Sequence, residues 1–193
     1  EPIVHVPTGP VSSYNVKAKQ SVLANNLRQP VLLCLVSCCE GIWRYHPRAD
    51  RFELFSEGGG NTYGLDFDRY GNAIAGTNAG VPGLHQMQGA YHSKNFGKHG
   101  ALHNPHAFGY FPHMPHTGTA IGKLSVGGIF YQAEQWPMRF RNKYITANPL
   151  NHALYAIDVR AGGSTFSTHF QERLIWSDDA WFQPVDLALE ADG

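Results

Sequence analysis

Cysteine is nearly absent from this chain of 193 residues: three occur, Cys34, Cys38 and Cys39, all in one short stretch. Adjacent cysteines rarely pair with each other, so no disulfide framework is read, and no CxxCH occurs to attach a c-type haem. Charge is scarce too. Lys plus Arg and Asp plus Glu number 15 each, 16% of the chain together, which leaves no electrostatic case for nucleic acid or an anionic membrane. No apolar run approaches the ~20 residues that span a bilayer. No GxSxG marks a hydrolase nucleophile. Residues 79 to 133 contain no acidic residue at all, so no carboxylate from that stretch can complete a metal shell.

What is plentiful is Gly (21), Pro (12) and His (11). The first two indicate a turn-rich β composition rather than a helical one. Exposed imidazoles would protonate together as pH falls through about 6.5, making the protein cationic in mild acid.

Residues 1 to 40 carry little pattern and read as a leader, and a chain that starts at Glu1 is expected to be processed or part of something longer. Within them PVLLCLVSC (Pro30 to Cys38) has two readings. It follows Lys17, Lys19 and Arg28, and Leu35-Val36-Ser37-Cys38 resembles a lipoprotein cleavage box, as in a remnant export signal. It also feeds straight into GIWRYHP, as a buried strand would, and strand is the expectation.

From Gly41 onward strands follow one another. GIWRYHP, a turn at Arg48-Ala49-Asp50 and RFELFSEG form a hairpin. Thr62 to Asn78 give two more strands about a turn at Asp68 to Asn72. Residues 79 to 118 have no sustained period and read as one long loop, a length that is usually functional. Strand texture resumes in KLSVGGIFYQ, KYITANPL, HALYAIDV and STFSTHFQERLIW. No stretch keeps a helical period for three turns, so the fold class is all-β.

A repeat lies beneath these strands. GNTYGLDFDRYG (60 to 71) aligns without a gap over FQPVDLALEADG (182 to 193), and TAIGKLSVGGIFYQ is a looser copy midway. A unit of about 60 residues with four short strands is what a propeller blade with an inserted loop looks like. One such sheet cannot bury both faces alone, so blades stack around an axis. The chain supplies about three.

GIWRYHP…FELFSEGGGNTYGLDFDRYGN, YFPHMPHTG…VGGIFYQAEQWPMRFRNKYI and GSTF…DDAWFQPVDLALEADG together resemble the propellers assigned as membrane-bound dehydrogenases of the planctomycete–verrucomicrobial group. More distantly, they are similar to soluble quinoprotein sugar dehydrogenases. The resemblance covers residues 41 to 193. It implies about three blades of a six-bladed β-propeller, in a periplasmic or secreted protein whose partners are the remaining blades or a haem domain. It also implies a sugar or alcohol dehydrogenase with pyrroloquinoline quinone (PQQ) and calcium. Of the family's Arg-Asn pair only Asn61 is matched, beside Gly60. Gln183 stands where an arginine is common, and Leu150 falls where a lysine would meet the quinone.

The candidate site residues follow, each beside its plainer reading. Asn61, after three glycines and before an inner strand, is a cofactor or ligand contact at the channel mouth, or turn chemistry. Gln183 takes the cofactor-binding role in its own blade by symmetry. His113 and His116, in HNPHAFGYFPHMPHTG, are expected to face the channel. His113 would hydrogen-bond substrate and His116 would act as general base, or both pack beneath the loop with Phe108, Tyr110 and Phe111. Pro112 and Pro115 hold the segment extended, so a shared metal is not read there; His103 and His106 read as surface residues. Asp66 could reach substrate from the channel wall, while Asp68 caps its turn and Asp178 and Asp179 shape another. The non-catalytic alternative is a carbohydrate- or protein-binding propeller module.

Overall fold

The aromatic and β-branched residues that alternate along GIWRYH and RFELFSEG pair as β2 (Gly41–His46) and β3 (Arg51–Gly58), an antiparallel hairpin in which Tyr45 faces Phe52 with ring centroids 4.7 Å apart. The structure is a computed structural model that describes residues 31–35, 41–46, 48–93 and 104–190. His103 lies outside them. β1 (Val31–Leu35) pairs antiparallel with β2, so the VLLCL run is a strand.

β4 (Tyr63–Phe67) and β5 (Ala73–Gly76) form the second hairpin. Its turn is held by the Asp68 carboxylate, which accepts the N–H groups of Tyr70 and Asn72 at 2.9 and 2.8 Å. Four short strands follow: β6 (Leu84–Gln86), β7 (Ala90–His92), β8 (Gly109–Phe111) and β9 (His116–Thr117). Next come β10 (Val126–Phe130), a single 3-10 turn at Met138–Phe140, β11 (Tyr144–Asn148), and the long hairpin of β12 (Ala153–Gly162) and β13 (Thr165–Trp176).

Three open sheets result, ordered β1-β2-β3-β7-β8, β4-β5-β6 and β10-β11-β12-β13-β9. The single long loop expected over 79 to 118 is therefore corrected. After β6 its chain adds β7 and β8 to the outer edge of the first sheet, then β9 to the outer edge of the third, all in parallel pairing. Strands of two or three residues are too short for a period of two to show.

The inner part of the third sheet is buried on both faces, and all of Tyr144–Asn148 is inaccessible. Neighbouring strand residues point to opposite sides. Tyr144 and Ile157 therefore join one core cluster, with Ile74 of the second sheet and Met114 of the inserted segment, while Ile145 and Ala156 join another, with Leu187 against it. Second sheet, third sheet and the 182–190 segment are successive layers.

The innermost strands of these layers meet at one point. A Cβ at Gly64 would lie 2.6 Å from the Gly127 Cα, and one at Gly127 would lie 3.7 Å from Asp186 Oδ1. Gly64 and Asp186 are aligned positions of the repeat, so its copies converge in space. β4 is a strand because β5 pairs with it; 182–190 has no strand partner among the described residues and is assigned to no strand. Gly64 combines this close approach with φ +55, so Gly64→Ala is expected to destabilise by about 2–4 kcal/mol through overpacking and left-handed strain. Urea unfolding measures it; a loss below about 0.5 kcal/mol would show that the inner strands are not in contact there.

Candidate functional site

Each inner strand is led in by a carbonyl that a neighbouring turn anchors. The Gly60 carbonyl accepts Thr77 Oγ1–H at 2.9 Å and the Asn78 N–H at 2.8 Å. The Ile121 carbonyl accepts Nδ2–H of Asn148 and, at 2.8 Å, of Asn151. Asn148 Oδ1 meanwhile accepts the N–H groups of Leu150 and Asn151. The Phe182 carbonyl accepts from His152 Nδ1 at 2.8 Å, which fixes the proton on that ring nitrogen. Residues 60, 121 and 182 are spaced by 61 each time; the donors to Gly60 and Ile121 come from later in their own sheets, whereas Phe182 is held by the preceding β11–β12 turn.

The residues that follow these carbonyls are Asn61, Gly122 and Gln183. Asn61 is half-buried with φ +40, a conformation Asn tolerates better than most side chains. Gln183 is exposed, and its Nε2 reaches the Ala180 carbonyl at 3.4 Å. The turn before it is shaped by Asp179, whose carboxylate accepts the Trp181 N–H at 2.9 Å.

Asp66 sits deeper. Its Oδ2 accepts the Phe130 N–H at 2.6 Å, tying β4 to β10, and burial pushes its carboxyl above the usual carboxylate range. Burial also raises the Tyr144 hydroxyl, beside the Asp66 charge. As placed, Asp66 joins two inner strands.

The histidines are arranged differently from expectation. His116 lies on β9, at the opposite edge of its sheet from β10, and four strand spacings put it about 19 Å away. Its Nε2 donates to the Thr119 carbonyl at 3.0 Å and its Nδ1 lies 3.0 Å from Thr168 Oγ1. Expected to face an inner channel as a general base, it instead secures the edge strand β9 to β13. His113 is half-buried, with Nε2 donating to the Ser93 carbonyl at 3.0 Å, so it ties the inserted segment to itself. Nearness in sequence to β10 suggested the channel; the parallel pairing of β9 with β13 carries both residues to the rim.

One histidine escaped notice altogether. His92 on β7 is 1% exposed, and its pKa falls to about 4, first through burial and then through the charges of His113 and His85. His85, packed edge-on against Phe166, is lowered by burial as well. These two do not titrate with the exposed imidazoles. Only the burial pattern of strands two to three residues long could have marked them.

Among the described residues no three His, Cys, Asp or Glu side chains are grouped to hold a metal ion. The neutral side chains of Asn61 and Gln183, with Leu150 64% exposed on its turn, offer no cation to a tricarboxylate such as PQQ. The residues present do not fit that group.

Stacked open sheets whose lead-in residues recur at a constant interval define an all-β, propeller-like protein. The chain belongs to the family of domains of unknown function DUF7133, which matches residues 35–193. In fold it is similar to the Thermus thermophilus protein assigned as an oxidoreductase (glucose dehydrogenase), with a TM-score of 0.59, 13% identity, and coverage of 84% of this chain and 53% of that one. The chain thus spans about half that protein's length. No curated protein matches it. No helix among the described residues is long and apolar enough to cross a membrane.

The buried His92 makes stability depend on pH. Unfolded, it takes a proton near pH 6.5; folded, only near pH 4. The stabilisation is complete above 6.5 and is lost as pH falls towards 4, by about 3 kcal/mol. Urea midpoints at pH 7, 5.5 and 4 should fall accordingly, and His92→Gln should flatten the slope; an equal slope in the variant would assign the loss elsewhere.

Proposed function

We propose that this chain is part of a dehydrogenase-like β-propeller that binds a neutral, hydroxyl-rich small molecule at the lead-ins to its inner strands, with Asn61 and Gln183 as the ligand-facing side chains. The observation that carries the reading is the anchoring of Gly60, Ile121 and Phe182 at a constant spacing of 61 residues. Asn61 and Gln183 directly follow the first and third of these carbonyls. A side-chain amide both donates and accepts, which suits the paired hydroxyls of a sugar. The reading takes the three sheets as about half of a six-bladed ring, completed by further blades, in a protein that works in the periplasm or outside the cell. Titration calorimetry with monosaccharides tests it. Asn61→Ala and Gln183→Ala should each weaken binding by about 0.5–1.5 kcal/mol; undiminished affinity in both would remove the site.

A redox role is the second reading, favoured by the similarity in fold to the oxidoreductase of Thermus thermophilus. It requires PQQ and calcium to bind despite neutral side chains at the lead-ins. Anaerobic addition of both should then raise the melting temperature and shift the quinone absorbance. No shift leaves a binding module for carbohydrate or protein, without turnover.

A further inference from the structure

The inserted segment is fastened at two ends, and imidazoles sit at both in opposite circumstances. At the first sheet, β7 joins β3 through two residue pairs, Glu57 with Tyr91 and Gly58 with His92, and β8 joins β7 through three. Attachments this short open locally at little cost. His92 is enclosed by them. Its carbonyl lies so close to Gly58 that a Cβ there would come within 2.1 Å of it, and its ring is 1% exposed. With the backbone pinned in this way, the ring reaches water only when β7 leaves β3.

The ring is a poor host for a second proton. The carbonyls of His85 and Phe111 lie beside it, yet neither ring nitrogen closes a hydrogen bond, and Gln86 Nε2 on β6 is buried without one too. The titratable groups that face it among the described residues are other imidazoles, His85 from β6 and half-buried His113 from the segment after β8. From β3 it meets Gly58, and from β8 the Phe111 ring, 6.4 Å away. Glu57 belongs to the other side of β3, across from Tyr91, where its carboxylate accepts the Asn104 N–H at 2.9 Å. A cation at His92 thus has no carboxylate facing it and two imidazoles to repel it.

The third-sheet end can take a proton without losing a contact. His116 donates from Nε2 to the Thr119 carbonyl, and its Nδ1 lies 3.0 Å from Thr168 Oγ1, whose own hydrogen reaches the Pro115 carbonyl at 3.2 Å. On the other face of the same pairing, His169 Nδ1 lies 2.9 Å from Thr117 Oγ1, which reaches the Thr168 carbonyl at 3.4 Å. Both hydroxyl oxygens can accept, so an added proton on either ring finds a partner.

We propose that the insertion is a strap with one acid-labile end: protonation of His92 frees β7 and β8 from β3, while β9 stays clasped to β13. Hydrogen exchange of the full chain, read by mass spectrometry at pH 7, 6 and 5 and corrected for intrinsic rates, tests it. In peptides covering 89–93 and 104–111, protection should fall about tenfold per pH unit below about 6.5. In peptides covering β9 and β11 to β13 it should hold. His92→Gln should remove the fall, as should His92→Phe, which keeps a ring in the seam, and His116→Gln should leave it in place. An equal fall at both ends, meaning that the whole chain unfolds together, would overturn the strap, and so would protection that does not change at either end. A fall that persists in both His92 variants would pass the effect to Glu57 and overturn the assignment.

Discussion

Sheets that are apolar on both faces cannot stand alone, and everything in this molecule is arranged to cover them. The strand Tyr144–Asn148 shows the constraint most clearly: one face meets the second sheet through Ile74 and the other meets Leu187 of the following segment. Stacking answers the need for burial, but stacked sheets can slide. Between layers, the Asp66 carboxylate on the Phe130 N–H links adjacent inner strands, and His152 on the Phe182 carbonyl ties the last segment to the third sheet. The anchored carbonyls of Gly60 and Ile121 hold each lead-in to its own sheet.

The same contacts separate structural from functional chemistry. Asp66, His113, His116 and His152 all carry groups suited to catalysis, yet in each case the side chain is engaged with the backbone. Buried polar groups are kept where they satisfy backbone donors and acceptors, and removing one exposes its partner. Of the two lead-in amides, Asn61 is half-buried and Gln183 is exposed with its Nε2 on the Ala180 carbonyl.

Much of this was legible in the sequence. The hairpins of β2–β3, β4–β5 and β12–β13 are long enough for alternation to show, and Asp68 and Asp179 cap turns as their positions suggested. The repeat was visible because Leu65 and Leu187, Phe67 and Leu189, and Gly71 and Gly193 fall together in motifs that align without a gap. The inserted segment was not legible. Its strands are two or three residues long and take their form from the edges they join, so local pattern is silent. His116 was misplaced for the same reason: close before a strand segment in sequence, it lies a whole sheet away in space. His92 shows the converse, since nothing in AYHS distinguishes a buried imidazole from an exposed one.

The insertion has a mechanical meaning as well. Its chain leaves the second sheet, is stitched to the rim of the first through β7 and β8, and is stitched to the rim of the third through β9. Away from the inner strands the second and third sheets also meet, through His85 against Thr165 and Phe166. A peptide bound to the outer edges on either side acts as a hoop does on staves, limiting the angle between neighbours from the outside. The close approach of Gly64 to Gly127 inside and the paired edges outside thus bound the stack at both ends.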